Sequence, residues 1–140
     1  MSEKRKSVWE SINYKSAVLG TGNVFGPRKG TYRIRVPDGW LVSYKYFGGK
    51  WISANCITYF PDKDGVWDTE NVKWDLIDER RGPSESRMTY RMKVTGGWLV
   101  RDDYRTRQKG VNERVEHLNM SMTFLPDEEH VWEIDIQKES

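Results

Sequence analysis

The chain has little of what most sites are built from: one cysteine, Cys56, and two histidines, His117 and His130, in 140 residues. A single thiol forms no internal disulfide, which excludes a disulfide scaffold and a multi-cysteine zinc site and agrees with a reducing compartment. Two histidines leave few nitrogen ligands for a metal. No apolar run approaches the ~20 residues a membrane-crossing helix needs. The opening MSEKRKSVWE is basic but lacks the apolar stretch of a secretory signal. Together these absences predict a cytoplasmic protein without membrane association, cofactor or metal.

A large net charge is also missing. The chain carries +2, but the charge is segregated along it. Residues 28–50 sum to +5, 61–79 to −5, 80–110 to +6 and 113–139 to −6, while 51–60 carry no charge. An unmatched basic surface is what draws nucleic acid over long range. Here each basic block is followed by an acidic one of similar size, so neutralisation between strands or subunits is the simpler reading. Aromatics are abundant, with seven Trp, seven Tyr and four Phe, and they supply much of the apolar area of a chain long enough for one core.

The aromatics recur in a duplication. Thr31 to Val42 (TYRIRVPDGWLV) aligns without gaps to Thr89 to Val100 (TYRMKVTGGWLV), an offset of 58 with eight of twelve positions identical. Ile57 to Asp68 (ITYFPDKDGVWD) aligns to Met122 to Glu133 (MTFLPDEEHVWE) at an offset of 65, so the second copy holds seven extra residues between the blocks. Trp74-Asp75-Leu76 also aligns to Trp132-Glu133-Ile134, which leaves the end of the first copy open.

Within each copy apolar and polar residues alternate with the period of a strand. Tyr32, Ile34 and Val36 share one face and Arg33 and Arg35 the other. Tyr90, Met92 and Val94 repeat this against Arg91 and Lys93. Pro37-Asp38-Gly39 and Thr95-Gly96-Gly97 predict hairpins, with Gly39 and Gly97 at positive φ. Pro61 and Pro126 end third strands, and Val66-Trp67 and 131–136 begin fourth ones. Arg105 to Asn112 reads as a basic loop and Gly20 to Gly30 as a Gly-rich one. Ser7-x-x-Glu10, with Trp9, Ile12, Ser16 and Leu19 at helical spacing before Gly20, predicts a short N-terminal helix. Residues 70–81 fit helix or strand. The expected architecture is all-β: two tandem four-stranded antiparallel repeats (31–69 and 88–137), related by approximate two-fold symmetry, in one sandwich or barrel-like body. Residues 1–30 precede them and 70–87 connect them.

Gly97-Trp-Leu-Val-Arg101 followed by Met122-Thr-Phe-Leu-Pro-Asp-Glu-Glu-His-Val-Trp132 resembles a signature of short bacterial proteins that carry one such unit and have no established activity. The resemblance covers about half of the second copy and implies a small bacterial or mobile-element product, with no mechanism attached. The first copy departs from it, with Ser43 in place of the Arg and Gly65 in place of the His.

Little catalytic chemistry converges. Asp127 and His130 are the best acid/base candidates, since a turn can set a carboxylate against an imidazole. Asp62 has no histidine counterpart, however, and Asp after Pro is a common turn residue. Asp62-x-Asp64-Gly65 is a fragment of a calcium loop without its remaining ligands. The Gly20–Gly30 loop, with Arg28 and Lys29, lacks phosphate-loop spacing. Cys56 aligns with Ser121, so neither nucleophile nor ligand is implied, and His117 has no second ligand near it in sequence. Tryptophans at equivalent repeat positions (Trp40, Trp98, Trp67 and Trp132) fit core anchors better than a sugar-binding platform. The remaining candidate is a basic β surface formed by Arg33, Arg35, Arg91, Lys93, Arg101, Arg105, Arg107 and Lys109, opposite the aromatics. The leading expectation is a non-enzymatic module binding another protein, including a second copy through the uncharged strand Trp51 to Phe60, with nucleic acid as the alternative and a small sugar-binding or hydrolase-like protein as the third reading.

Overall fold

The computed structural model describes residues 8–16, 28–48, 53–109 and 114–134. Eight antiparallel strands form two sheets of four. The first is β1 (Glu10–Ser16), β2 (Arg28–Val36), β3 (Gly39–Phe47) and β4 (Ser53–Pro61), and the second is β5 (Asp75–Arg81), β6 (Glu85–Val94), β7 (Gly97–Lys109) and β8 (Arg114–Pro126). In each sheet the strands lie in chain order. The all-β duplication is therefore the architecture, and among the described residues no helix is long and apolar enough to cross a membrane.

Several elements differ from the sequence reading. The fourth strand of each sheet precedes the repeat block rather than following it. Residues 10–16, expected as helix, pair as β1 along β2, and 75–81, left ambiguous, pair as β5 along β6. Both carry a register shift at the same place, between Ser11 and Asn13 and between Leu76 and Asp78. An isolated helix of this length is marginal in water, whereas the open edge of β2 offers a ladder of unpaired backbone groups. Residues 17–20 of the expected helix, Gly20 to Pro27 of the Gly-rich loop, Trp51 and Ile52 of the uncharged strand, and Gly110 to Asn112 of the basic loop lie outside the described residues. The presumed loop at Arg105 to Asn112 is strand up to Lys109, because the extra residues lengthen the second hairpin: β7 and β8 have 13 residues each against nine in β3 and β4. Val66-Trp67 and 131–134 are not strands.

The two hairpin glycines are required for a different reason than the one expected. Positive φ falls one residue earlier, at Asp38 (62°) and Gly96 (80°). A Cβ on Gly39 would stand 2.3 Å from the Phe60 carbonyl oxygen, and one on Gly97 would stand 2.1 Å from that of Leu125. Close approach of neighbouring backbones therefore excludes any side chain there.

The two repeats do not bury the same face. In the first sheet Trp40, Val42 and Phe60 face the core with Trp67, whereas in the second Met92, Val94 and Leu99 do so. Val42 is 0% exposed while its equivalent Val100 is half-buried, and Leu99 is 0% exposed while its equivalent Leu41 is half-buried. Phe60 stacks on Phe124 at 5.7 Å where β4 meets β8. A two-fold axis would bury equivalent residues, so the expected symmetry is corrected: one face of the first repeat packs on the opposite face of the second, head to tail.

At their first residues, Glu10 and Asp75, β1 and β5 differ by one methylene. Glu10 lies opposite Arg33 and Asp75 opposite Arg91. The Glu10 carboxylate takes the Arg33 Nε–H, while Arg91 Nε is buried without a hydrogen-bond partner. We expect Asp75→Glu to reach Arg91 Nε and raise stability by about 1 kcal/mol. An unchanged or lowered urea midpoint for this variant would show that the longer carboxylate does not make the bond.

Candidate functional site

Each repeat closes on an aspartate. The Asp62 carboxylate accepts from the Trp40 indole Nε1 (2.8 Å), the Trp67 amide (2.9 Å) and the Val66 amide (3.2 Å). Asp127 accepts from Trp98 Nε1 (2.9 Å), the Trp132 amide (2.9 Å) and the Val131 amide (3.1 Å). The amides of Asp62 and Asp127 donate back to the carbonyls of Asp38 and Gly96, both at 2.8 Å. An arginine completes each knot. Arg33 lies 4.0 Å from the Trp40 ring centroid and donates to the Trp67 carbonyl at 2.8 Å, and Arg91 lies 3.8 Å from Trp98 and donates to the Trp132 carbonyl at 2.7 Å. The conserved-looking residues of the duplication are thus spent on structure.

Burial opposes ionisation of Asp62, yet the Trp40 indole, the Trp67 and Val66 amides and the charge of Arg35 together hold its carboxyl below the usual carboxylate range. For Asp127 the Trp98 indole bond is the largest effect. It outweighs desolvation and, with the Trp132 and Val131 amides and nearby His130, lowers that carboxyl too. The acid/base pairing of Asp127 with His130 does not form. His130 Nε2 instead faces the carbonyls of Val94 (2.8 Å) and Gly97 (2.9 Å). Two carbonyl acceptors require Nε2 to carry the proton.

His130 replaces an arginine of the other repeat. Arg35 donates to the Gly39 carbonyl (3.1 Å), and also to those of Asp62 (2.6 Å) and Lys63 (2.9 Å). The equivalent of Arg35 is exposed Lys93, and the Gly97 carbonyl is met by His130 instead. Gly65, the equivalent of His130, has its would-be Cβ 3.2 Å from Arg35 Cζ. Each repeat therefore fills this space once, from β2 in the first and from the final turn in the second. Both turn positions have positive φ, 64° at Gly65 and 54° at His130.

The eight basic candidates consequently form no single surface. Arg35 pairs across the ladder with Trp40 and Arg33 with Val42, so in the first sheet the basic face is the buried aromatic face, contrary to the alternation argument. Arg33, Arg35 and Arg91 are occupied by rings and carbonyls, Lys93 is exposed on the outer face of the second sheet, and Lys109 ends β7. Arg101, Arg105 and Arg107 come together elsewhere with Lys29, which the sequence placed in the Gly-rich loop but which belongs to β2, and with partners the sequence reading missed: Tyr44, Tyr46, Arg81, Tyr90 and Asp103.

These residues line a cleft of about 280 Å³ between the sheets, beyond the apolar core. Along β7 the inner face runs Leu99, Arg101, Asp103, Arg105, Arg107, so the core turns cationic as the longer hairpin extends. That alternation was visible in the sequence once the segment is recognised as strand. Arg101, which is Ser43 in the first repeat, is 3% exposed. Its guanidinium lies 3.6 Å from the Tyr44 centroid, 4.3 Å from Tyr90 and 4.6 Å from Trp74, and it forms a bidentate pair with Asp103 at 3.0 and 3.2 Å. Arg101 Nη1 is buried without a hydrogen-bond partner. Burial raises the Tyr44 hydroxyl to about 12 against the opposing charge of Arg101. Burial also raises Asp103, although the Arg101 charge and hydrogen bonds oppose it. The Cys56 thiol is pushed up to about 11, chiefly by burial, and stays protonated at neutral pH.

The outer face of the first sheet is the second unusual surface. Ile34, Val36 and Leu41 are half-buried there, Ile57 is 55% exposed and Tyr59 44%. The chain matches no protein-family model, no curated protein and no solved structure.

Proposed function

We propose that the protein is a non-enzymatic protein-binding module, and that the partner of its uncovered sheet face is a second copy of the chain, docked head to tail. One observation carries this reading. On the outer face of the first sheet Ile57 and Tyr59 are exposed and Ile34, Val36 and Leu41 half-buried, while their repeat equivalents Met122, Phe124, Met92, Val94 and Leu99 lie under the face that presents Trp40, Val42 and Phe60. The covering surface has its own equivalent on the outside of the second sheet, where Leu125 is 41% exposed and Val100 half-buried, while Trp98 is already covered there by Arg91, His130 and Trp132. The packing inside one chain is thus a template for packing between chains. Uncovered apolar sheet surface favours such an interface, and a head-to-tail contact closes only in a ring or continues as a filament.

The nucleic-acid reading loses support from the arginines that rings and carbonyls already occupy. Sedimentation across protein concentration tests the proposal. The mass is expected to rise with concentration, and Ile57→Lys with Tyr59→Lys to hold the chain monomeric, since both side chains are exposed and their replacement leaves the core intact. A native chain that stays monomeric to about 1 mM, where even a −4 kcal/mol contact would register, overturns it.

A further inference from the structure

We propose that the cleft between the sheets is a binding site for a phosphate monoester, anchored by Arg101 and Arg105. This inference is independent of the self-association face. The cleft combines three features that a purely structural ion-pair cluster does not need. First, it is cationic: Lys29, Arg81, Arg101, Arg105 and Arg107 line it against one lining carboxylate, Asp103. Arg81 and Arg107 are paired with Glu79 and Glu116, and Arg101 with Asp103, but among the described residues Lys29 and Arg105 form no salt bridge. Second, Arg101 is nearly fully buried and still keeps one guanidinium nitrogen, Nη1, without an acceptor. A buried donor of a charged group left unpaired is costly, and an oxyanion is the acceptor that removes the cost. Third, the cationic groups stand beside rings, with Lys29 Nζ and Arg105 Cζ both 5.7 Å from the Tyr46 centroid and Tyr44 and Tyr90 on the walls.

The chemistry favours phosphate over carboxylate. Two guanidinium groups and an ammonium line the same cleft, which suits the near-dianionic charge and several acceptor oxygens of a phosphate monoester. The volume, about 280 Å³, leaves room for a small organic group against the tyrosines. The position is particular to the second repeat: Ser43 stands in place of Arg101 in the first and Phe47 in place of Arg105, and the β7 extension that carries Arg107 has no counterpart in β3. The duplication preserved the fold and the cleft was built where the copies diverge.

Phenyl phosphate, inorganic phosphate and benzoate are the probes, titrated against the full chain and followed by intrinsic fluorescence, to which Trp74, 4.6 Å from the Arg101 guanidinium, contributes. Phenyl phosphate is expected to saturate and to bind at least about tenfold more tightly than benzoate, the factor expected for one charge-assisted hydrogen bond. Arg105→Gln is expected to weaken it by about tenfold or more on the same grounds. Arg87→Gln, on the outer face of β6 and paired there with Asp102, leaves it unchanged. Because Arg101→Ala alone risks unfolding, the anchor is tested with Arg101→Met combined with Asp103→Leu, whose fold is checked by circular dichroism and which is expected to abolish binding. Absence of saturation by either phosphate, benzoate binding as tightly as phenyl phosphate, equal weakening by Arg87→Gln and Arg105→Gln, or undiminished binding by the folded double variant overturns the assignment.

Discussion

Arg101→Ala is expected to cost about 3–5 kcal/mol, the range seen when one member of a buried ion pair is removed. The residue is 3% exposed and its guanidinium is stacked on Tyr44, Tyr90 and Trp74. Truncation leaves the Asp103 carboxylate half-enclosed without its bidentate partner and opens space among three rings. Native stabilities of about 5–15 kcal/mol leave little margin for such a loss. Replacing both charges, Arg101→Met with Asp103→Leu, is expected to cost far less, because a buried ion pair and an apolar pair of similar volume are often close in stability. The pH dependence separates the two effects. Asp103 titrates higher in the folded chain than in the unfolded one, and more so once Arg101 is gone. The deficit of Arg101→Ala relative to the native chain is therefore smallest in acid and grows as pH rises through the raised folded pKa. Urea midpoints measured as a function of pH would show this slope, and a pH-independent deficit would assign the loss to packing alone.

Asp62→Ala is the second large effect, expected at about 3 kcal/mol. The substitution strands the buried Trp40 indole N–H and Trp67 amide, each costing about 1–3 kcal/mol when unpaired, while water reaches the amide of exposed Val66. Asp62→Asn keeps one acceptor oxygen and should lose roughly half as much. Since Asp62 and Asp127 both titrate below the ordinary carboxylate value of 3.8, their knots stabilise the fold fully above that value and release it as pH falls through the depressed folded pKa values. The native chain should therefore unfold in acid below the usual carboxylate range, and Asp62→Ala should show a shallower acid limb. An Asp62→Ala midpoint that matches the native chain at neutral pH would mean that water or backbone rearrangement satisfies the stranded donors.

These knots explain why the duplication reads so plainly. Trp40, Asp62, Trp67 and Arg33 are matched by Trp98, Asp127, Trp132 and Arg91 because each set is one hydrogen-bonded unit, in which a change at any member leaves a donor or a ring unpaired. The Arg35–Gly65 and Lys93–His130 pairs show the complementary case. There two positions change together, since the same space holds a guanidinium in one repeat and an imidazole in the other. The sequence comparison sees only two unrelated differences, at offsets of 58 and 65.

By itself the sequence determined the all-β class, the duplication, the two hairpins and the strand ends at Pro61 and Pro126. Period-two alternation, two-residue turns and proline are local constraints that act before any tertiary contact forms. It did not determine which face of each repeat turns inward. In the first repeat both faces are apolar enough to be buried, with Trp40, Val42 and Phe60 on one and Ile34, Leu41 and Tyr59 on the other, so only the partner sheet makes the choice. The same holds for charge. Alternation marks Arg33 and Arg35 as solvent-facing, and Arg35 is exposed, but the Arg33 guanidinium, stacked on indole and donating to a backbone carbonyl, is enclosed, and that depends on Trp67, 34 residues away. The fourth strands and the cationic cleft follow from the same cause: pairing along an open sheet edge and the juxtaposition of β2, β3 and β7 are long-range events that no local window of sequence encodes.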